Sequence, residues 1–336
     1  LGYGTENIEL ELLTGINSRF FSFDDMIYGW EQEKLLTYPS LPQLFSDAGY
    51  YTAYLHTFND GIYERAGLYT ALGFQDMFFS GDFAAIDPEA AAAADYWAYM
   101  QGKLSGDFYS DEYLAQLTAM LFEQKVSESP VFLWAVTMEN HTPFYAEKYP
   151  SYDFPFESEL PDEAVGVLSS VTQGAANCSE ALGQLVDYLS GREEPVILVF
   201  FGDHKPTLGA GNSFYEELGV NVQEGTAEGL YHLYTTPYLI WANDAAKGVL
   251  GQDFTGTGPT ISPCYLMSVL FDCCGWDGPS WMQLQRQTRA VLPVMQSRGI
   301  YLVAQDGAPS AEKDVASLTY TLEGDALQAE QNYAIA

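Results

Sequence analysis

Four short apolar runs constrain the fold of this chain more than any other feature of its sequence. They are rich in β-branched and aromatic residues and show no polar alternation: Tyr50–Leu55, Val131–Thr137, Val196–Phe201 and Pro237–Trp241. Such runs are typical of strands buried on both faces, as in a parallel sheet covered by helices. They are also too short to span a bilayer. The sequence therefore predicts a buried, mostly parallel sheet.

Helical segments with recognisable start and stop residues lie between these runs. Three have such signals: Ser110 before Asp111–Lys125, Ser262 and Pro263 before a helix running to Cys274, and Ser40 and Gly49 on either side of a short helix. The segment Lys148–Ala164 is rich in Pro, Tyr and acidic residues, which indicates a loop. The alternation of strands and helices predicts an α/β fold with helices on both faces of the sheet.

The charge of the chain limits its partners. It has 13 Lys and Arg against 46 Asp and Glu, a formal net charge of −33. A chain this negative repels nucleic acid and anionic membrane surfaces, which excludes both as main partners. Because 47% of the residues are hydrophobic, a disordered chain is also excluded. A bound phosphate would therefore need a local positive charge, such as a metal ion or a well-placed arginine.

Three of the four histidines follow the carboxyl ends of predicted strands. They are His56, His141 and His204, and Asp203 precedes the last of them. In open α/β sheets, ligands bind beyond the carboxyl ends of the strands. An adjacent carboxylate and imidazole suit Mn²⁺ or Zn²⁺, or Mg²⁺ where carboxylates dominate. The alternative is that Asp203 and His204 form a turn with no metal.

Thr5 and Arg65 are two further candidates for contact with a phosphate group. Gly4 frees the backbone before Thr5, and a helix that began here would place a hydroxyl near bound phosphate oxygens. Thr5 could instead be only an N-cap, or the segment could be a strand. Arg65 lies soon after His56 in a chain with few cations, and its planar fork suits phosphate. The alternative for Arg65 is an ion pair at the surface.

These motifs together resemble the extracellular catalytic domain of lipoteichoic acid synthases and related phosphoglycerol transferases, in the sulfatase/alkaline phosphatase superfamily. The matching motifs run in order along most of the chain: Gly4-Thr5, Leu55-His56 with Tyr63 and Arg65, Asn140-His141-Thr142-Pro143-Phe144, Gly202-Asp203-His204, and Ser262-Pro263 to Gly275. The resemblance implies a catalytic domain over residues 1–285. It also implies that residues 286–336 form a smaller, peripheral C-terminal part of the same domain.

The resemblance implies a metal-dependent transfer through a covalent intermediate. Thr5 would take glycerophosphate from phosphatidylglycerol and pass it to a glycerol or sugar hydroxyl. Thr5, Asp203 and His204 would bind one divalent cation, Mn²⁺ or Mg²⁺ ahead of Zn²⁺, which lowers the pKa of the threonine hydroxyl.

Four other positions would bind the substrate in such a site. His56, Arg65 and His141 would contact the phosphate oxygens and glycerol hydroxyls, and Tyr63 would stack where relatives often have Trp. A lipid donor and a polyol or glycan acceptor imply a domain on the outer face of the cell membrane. The membrane attachment would then lie in segments outside this sequence.

The resemblance also leaves alternatives open. The family uses a further acidic metal ligand on a strand upstream of the nucleophile, so we expect that the sequence lacks this strand, its acid and the membrane segments. Phosphoethanolamine transfer, phosphodiester hydrolysis or sulfate-ester hydrolysis could use the same fold. An inactive fragment or binding domain is the third possibility, because the upstream ligand lies outside the sequence.

Overall fold

The structure is a computed structural model, and it describes residues 4–20, 39–61, 65–155, 159–304 and 318–335. The chain divides into two compact units. The first unit takes in the described residues of Leu1–Lys34, Arg192–Lys205 and Leu218–Ala336. The second takes in those of Leu35–Gly191 and Pro206–Glu217.

Helices contribute most of the regular structure in these ranges. In chain order they are α1 (Thr5–Thr14), α2 (Leu41–Asp47), α3 (Arg65–Ala71), α4 (Pro88–Ala92), α5 (Tyr96–Gln101), α6 (Asp111–Lys125), α7 (Asp162–Ser190), α8 (Ser213–Glu217), α9 (Ala227–Tyr234), α10 (Asp244–Leu250), α11 (Leu266–Cys274), α12 (Ser280–Val291) and α13 (Gly324–Ile335). Single 3-10 turns lie at Phe83–Ala85, Ala210–Asn212 and Pro263–Tyr265.

The strands are short and fall into four sheets. In chain order they are β1 (Tyr51–His56), β2 (Asp76–Phe78), β3 (Leu104–Ser105), β4 (Phe108–Tyr109), β5 (Val131–Val136), β6 (Ile197–Phe201), β7 (Tyr238–Ala242), β8 (Val294–Met295), β9 (Tyr301–Leu302) and β10 (Leu318–Thr319). The sheet orders are β2–β1–β5, β10–β9–β8, β3–β4 and β6–β7.

A parallel sheet forms the centre of the second unit. β1 lies between β2 and β5, and the register pairs His56 with Val136 at the ends of β1 and β5. The central strand is buried from Thr52 to His56. Helix α6 packs against β1 and β5 and adds its leucines to the core that contains Ala53 and Leu55. Each such buried leucine stabilises the fold by about 2 kcal/mol.

Antiparallel strands characterise the first unit. β6 pairs with β7, and β8, β9 and β10 form a small antiparallel sheet. Helix α1 packs against the Pro263–Tyr265 turn, and its residues from Ile8 to Thr14 are buried. The strand alternative for this segment is therefore wrong. Burial on nearly every side explains why its apolar residues follow no single stripe.

The α/β class with a parallel sheet is confirmed, but two expectations about the strands are wrong. The β6–β7 pair is antiparallel, and β6 is half-buried along its length rather than buried on both faces. An apolar run indicates that a strand is at least partly buried, but it does not indicate whether the neighbouring strand is parallel or antiparallel.

The helices predicted from caps are confirmed at the predicted places. The Ser110 and Ser40 hydroxyls accept hydrogen bonds from Tyr113 and Gln43 N–H, and Gly275 ends α11 in the left-handed conformation. Ser262 and Pro263 do begin a helical segment that leads into α11, but the Ser262 hydroxyl bonds the backbone of Met295 instead of a helix N–H.

Helix α7 was not predicted, although it is the longest described helix, with 29 residues. It begins at Asp162, within the segment predicted as a loop; residues 148–155 and 159–161 contain no helix or strand. Within the described ranges, no helix combines the length and apolarity needed to cross a membrane. The predicted division at residue 285 stays a prediction.

Candidate active site

Thr5 is the first residue of helix α1, and a glycine sets its position. Gly4 is the N-cap residue, with φ of 76° and ψ of 142°, a conformation that other residues rarely adopt. Thr5 is therefore not the N-cap, and that alternative is wrong. Its hydroxyl instead contacts two residues that follow Gly202, just beyond the end of β6.

Those residues are Asp203 and His204, almost two hundred positions away in sequence. The Thr5 hydroxyl donates to Asp203 Oδ2 at 2.5 Å, and Thr5 Oγ1 lies 3.4 Å from His204 Nε2. Asp203 Oδ2 and His204 Nε2 are 3.6 Å apart. A hydroxyl, a carboxylate and an imidazole thus converge within the first unit, and a third of each of the Asp203 and His204 side chains is exposed.

The orientation of both partners of Thr5 is fixed by the backbone. His204 Nδ1 lies 3.0 Å from the Lys205 carbonyl oxygen, so Nδ1 carries the proton and donates. The lone pair of Nε2 then faces Thr5. Asp203 Oδ1 accepts from His204 N–H at 2.7 Å, which turns Oδ2 toward the threonine.

Two residues without a predicted role in the site hold the loop from Gly202 to Lys205. Thr236 Oγ1 donates to the Gly202 carbonyl at 2.6 Å, and the Lys205 ammonium donates to the His232 carbonyl. His232 lies in α9, and its Nδ1 bonds the Asn221 carbonyl oxygen. The position of Lys205 next to Asp203-His204 was the available signal for its role; Thr236 has no such signal.

The three side chains fit a hard divalent cation in the type of their donor atoms. A carboxylate oxygen, a hydroxyl oxygen and an imidazole nitrogen with its lone pair turned inward suit Mn²⁺ or Mg²⁺. His204 also has the carbonyl partner on its other nitrogen that metal-bound histidines usually have. Within the described ranges, no group of three or more His, Cys, Asp and Glu side chains is placed to hold a metal ion. Thr5 would therefore be needed as the third protein ligand.

The other predicted site residues lie in the second unit. His56 ends β1 and is buried, and its Nδ1 donates to the Val136 carbonyl at 3.2 Å. Burial first, and then the charges of Arg65 and His141, lower the pKa of His56 to about 3. The ring is therefore neutral at physiological pH, and its Nε2 is a hydrogen-bond acceptor.

Arg65 and His141 are close enough to His56 to affect its charge. Arg65 begins α3, is 4% exposed, and donates from Nη1 to the Tyr54 hydroxyl at 2.6 Å. The surface ion pair proposed as its alternative is therefore wrong. His141 donates from Nδ1 to the Thr142 carbonyl at 2.8 Å, which leaves Nε2 for a ligand. Tyr63 lies outside the described residues.

The predicted site residues thus form two groups, each within one unit. Thr5, Asp203 and His204 meet in the first unit. His56, Arg65 and His141 lie near one another in the second unit. The first group places a hydroxyl beside a proton acceptor, and the second contains a buried arginine beside two imidazoles.

The chain belongs to the sulfatase family, whose family model matches residues 2–275. Among its relatives is a Rhizobium meliloti (strain 1021) protein named for cyclic β-1,2-glucan modification, which is 29% identical over 285 residues. That match covers 82% of this chain and 39% of the relative. The chain therefore spans less than half of that protein's length.

Solved structures share the fold. The phosphoglycerol transferase GacH of Streptococcus pyogenes, in complex with sn-glycerol-1-phosphate, matches with a TM-score of 0.65 and 16% identity over 99% of this chain and 72% of that one. The lipoteichoic acid synthase LtaP of Listeria monocytogenes matches with a TM-score of 0.55 and 18% identity. That match covers 81% of this chain and 60% of LtaP. The predicted membership of the sulfatase family is confirmed, and the fold is shared with the solved lipoteichoic acid synthase and phosphoglycerol transferase.

Proposed function

We propose that this chain transfers a glycerophosphate group from a phosphatidylglycerol-type lipid to a hydroxyl of a polyol or glycan. The proposal depends on one observation, the hydrogen bond of 2.5 Å from the Thr5 hydroxyl to Asp203 Oδ2. A threonine is a weak nucleophile until its proton has an acceptor. Here the acceptor is a carboxylate, and an imidazole nitrogen lies 3.4 Å away from the same oxygen.

Thr5 forms a covalent intermediate in the proposed first step. Its Oγ1 bonds to phosphorus while its proton moves to Asp203 Oδ2. The phosphorus–oxygen bond to diacylglycerol breaks, and the departing oxygen keeps the electron pair and takes a proton from solvent. The product is a glycerophosphoryl ester of Thr5.

In the second step Thr5 Oγ1 is the leaving group, and the acceptor hydroxyl oxygen is the nucleophile. The acceptor hydroxyl bonds to phosphorus and releases its proton to solvent. The bond between phosphorus and Thr5 Oγ1 breaks, and Asp203 returns the proton to the threonine. The first half-reaction releases diacylglycerol and the second releases the glycerophosphorylated acceptor.

We propose that Thr5, Asp203 and His204 hold one divalent cation, Mn²⁺ or Mg²⁺. When bound, it lowers the pKa of the threonine hydroxyl and neutralises phosphoryl charge. His204 contributes by presenting Nε2 while its Nδ1–H stays on the Lys205 carbonyl. This tautomer turns the lone pair of Nε2 toward Thr5.

The second unit supplies the proposed substrate contacts. Arg65, always charged, suits the phosphate oxygens, and His141 presents Nε2 to the substrate. Neutral His56, whose Nε2 accepts, suits a glycerol hydroxyl better than an anionic oxygen. We also assign Tyr63 to this group, as predicted from the resemblance.

The compartment and acceptor follow from these substrates. A lipid donor of this kind places the domain on the outer face of the cell membrane. Two likenesses support the substrates: GacH was solved with sn-glycerol-1-phosphate, and the Rhizobium relative is named for modification of a glucan. We therefore favour a sugar hydroxyl as acceptor over free glycerol.

A lipid turnover assay tests the proposal. Purified protein with Mn²⁺ and fluorescent phosphatidylglycerol should release fluorescent diacylglycerol. Thr5→Ala should lose more than about a thousandfold of this activity, because it removes the nucleophile, and Thr5→Ser should keep part of it. The intact mass of the wild type should rise by one glycerophosphate group when the acceptor is omitted.

The controls separate this reaction from the alternatives. Phosphatidylethanolamine and an aryl sulfate, offered in parallel, should turn over more slowly than phosphatidylglycerol. Turnover of phosphatidylglycerol by Thr5→Ala at the wild-type rate would overturn the proposal. Faster release from either other substrate would change the assigned donor.

A further inference from the structure

The second unit contains a buried lysine that the proposed reaction does not use. Lys148 is 3% exposed, and its ammonium donates to the His141 backbone carbonyl at 2.5 Å. Burial lowers the pKa of Lys148, and the carboxylates of Asp107, Glu139 and Asp111 partly oppose that effect. A buried cation is costly unless it is paired and hydrogen-bonded, so its position calls for an explanation.

Aromatic rings surround the ammonium. Lys148 Nζ lies 4.6 Å from the centre of the Phe144 ring, 5.6 Å from that of Phe108 and 5.9 Å from that of Tyr149. Ring faces at these distances attract a cation. The Phe108 ring also meets the His141 ring edge-on, with the centres 5.8 Å apart. Lys148 and His141 therefore share one aromatic neighbour.

Glu139 fixes the other end of the same segment. It is 1% exposed, and Oε1 accepts from Ser105 Oγ at 2.7 Å and from Asn177 Nδ2 at 2.6 Å. Its Oε2 accepts from Asp111 N–H at 2.8 Å. Helices α6 and α7 thus hold Glu139, and Lys148 holds the carbonyl two residues further on.

Helix α7 touches the segment at a glycine. A Cβ atom added at Gly174 would lie 2.2 Å from Asn140 Oδ1 and 2.8 Å from the Tyr149 hydroxyl. Any side chain here must displace Asn140, the residue before His141. Gly183, in the same helix, has open space where its Cβ would be. The chain therefore offers a second way to disturb the segment and a matched control.

We propose that Lys148 is a positioning residue that fixes the backbone of His141 and so aims its imidazole at the donor. The inference rests on the proposed function for the role of His141. The hydrogen bond gives the link, because it ends on the His141 carbonyl itself. The ring faces around the ammonium, and the charges of the nearby carboxylates, stabilise it in this position.

Four variants of the purified protein test the inference: Lys148→Met, Lys148→Arg, Gly174→Ala and, as control, Gly183→Ala. The first readout is backbone hydrogen exchange in residues 138–145, compared with residues 51–56 of β1. We expect about tenfold faster exchange in residues 138–145 for Lys148→Met and Gly174→Ala, with unchanged exchange in β1. Lys148→Arg should restore part of the protection, and Gly183→Ala should match the wild type.

The second readout separates positioning from a general loss of folded protein. A misplaced His141 should raise the KM for phosphatidylglycerol by about ten- to a hundredfold, with a smaller change in kcat. A lower folded fraction would instead reduce kcat at constant KM. That result, or unchanged exchange in residues 138–145 for both Lys148→Met and Gly174→Ala, would overturn the inference.

The exchange measurement also distinguishes this inference from the proposed function. If the wild type turned over no phosphatidylglycerol, the proposed function would fail, and faster exchange in Lys148→Met would still support the link to His141. If Lys148→Met proved unfolded, with β1 exposed as well, Gly174→Ala would decide, because it retains the lysine and all three carboxylates.

Discussion

Asp111 shows how one buried carboxyl can make the stability of this fold depend on pH. It is the first residue of α6, is 4% exposed, and lies near Glu139. Burial, and then the charge of Glu139, raises the pKa of Asp111 to about 7. In an unfolded chain an aspartate has a pKa of about 3.9. The folded state therefore holds this proton more tightly than the unfolded state does.

The direction of the pH dependence follows from that difference. Between about pH 4 and pH 7 the folded state binds more protons, so its stability falls as the pH rises. The stabilisation by the protonated group is complete below pH 4 and is lost as the pH rises through 7. A difference of about three pKa units corresponds to about 2 to 4 kcal/mol after allowance for structural relaxation.

Asp111→Asn should remove this dependence, because an amide stays neutral. Relative to the wild type, the variant should gain about 2 kcal/mol or more in free energy of unfolding between pH 4.5 and pH 8. Urea unfolding at the two pH values measures this. Asp244→Asn is the matched control, since Asp244 also begins a capped helix but has a 99% exposed side chain. Parallel changes in the two variants would contradict the prediction.

At the scale of elements, two helices end at glycines with similar backbone conformations and different surroundings. Gly15 ends α1 with φ of 74°, and Gly275 ends α11 with φ of 69°. A Cβ at Gly15 would lie 2.3 Å from Gln285 Nε2 and 2.6 Å from the Trp281 ring. A Cβ at Gly275 would meet nothing within 4 Å.

Alanine should therefore cost different amounts at the two positions. Gly275→Ala should lower the free energy of unfolding by about 1 kcal/mol, because alanine in the left-handed conformation is strained. Gly15→Ala should lower the free energy of unfolding by about 3 kcal/mol or more, because Trp281 and Gln285 must also move. Urea unfolding of both variants at one pH measures the difference. Equal losses would show that the α1 terminus is not packed as described.

The elements that the sequence predicted well are those with local signals. The start of α6 is set by Ser110, whose hydroxyl accepts from Tyr113 N–H, and a side chain of this kind is visible in a sequence. Helix α7 lacks such a capping side chain, because it begins after Pro161, and glycines interrupt its sequence. Its length comes from packing against α6, which no local pattern records.

The candidate site follows the same division between local and distant signals. Residues at strand ends are readable, so Asp203 and His204 were predicted, and Gly4 marked the start of the helix that carries Thr5. The contact between Thr5 and Asp203 spans 198 positions, and only the resemblance to a known family predicted it. The bond from Lys148 to His141 was missed, because a lone lysine in a polar segment gives no sign that it will be buried.

At the scale of the whole molecule, the net charge of −33 dominates long-range interactions. Several cations are already paired with carboxylates: Arg19 with Glu330, Arg298 with Glu224, and Arg286 and Arg289 with Asp272. These ion pairs reduce the positive charge that remains for an anionic surface. If the proposed function holds, the anionic headgroup of the donor is attracted only locally, against the repulsion of the rest of the chain.

This balance predicts how the protein associates with vesicles. With a chelator present and low salt, the bound fraction should stay constant or fall as phosphatidylglycerol replaces phosphatidylcholine, because both surfaces are negative. Salt should weaken that trend, since the Debye length shrinks to about 10 Å at 0.1 M. Mn²⁺ should raise binding to phosphatidylglycerol vesicles in the wild type and much less in Asp203→Asn, which loses a proposed ligand. Co-sedimentation measures all three effects, and binding that increased with phosphatidylglycerol under chelation would show a cationic surface that outweighs the net charge.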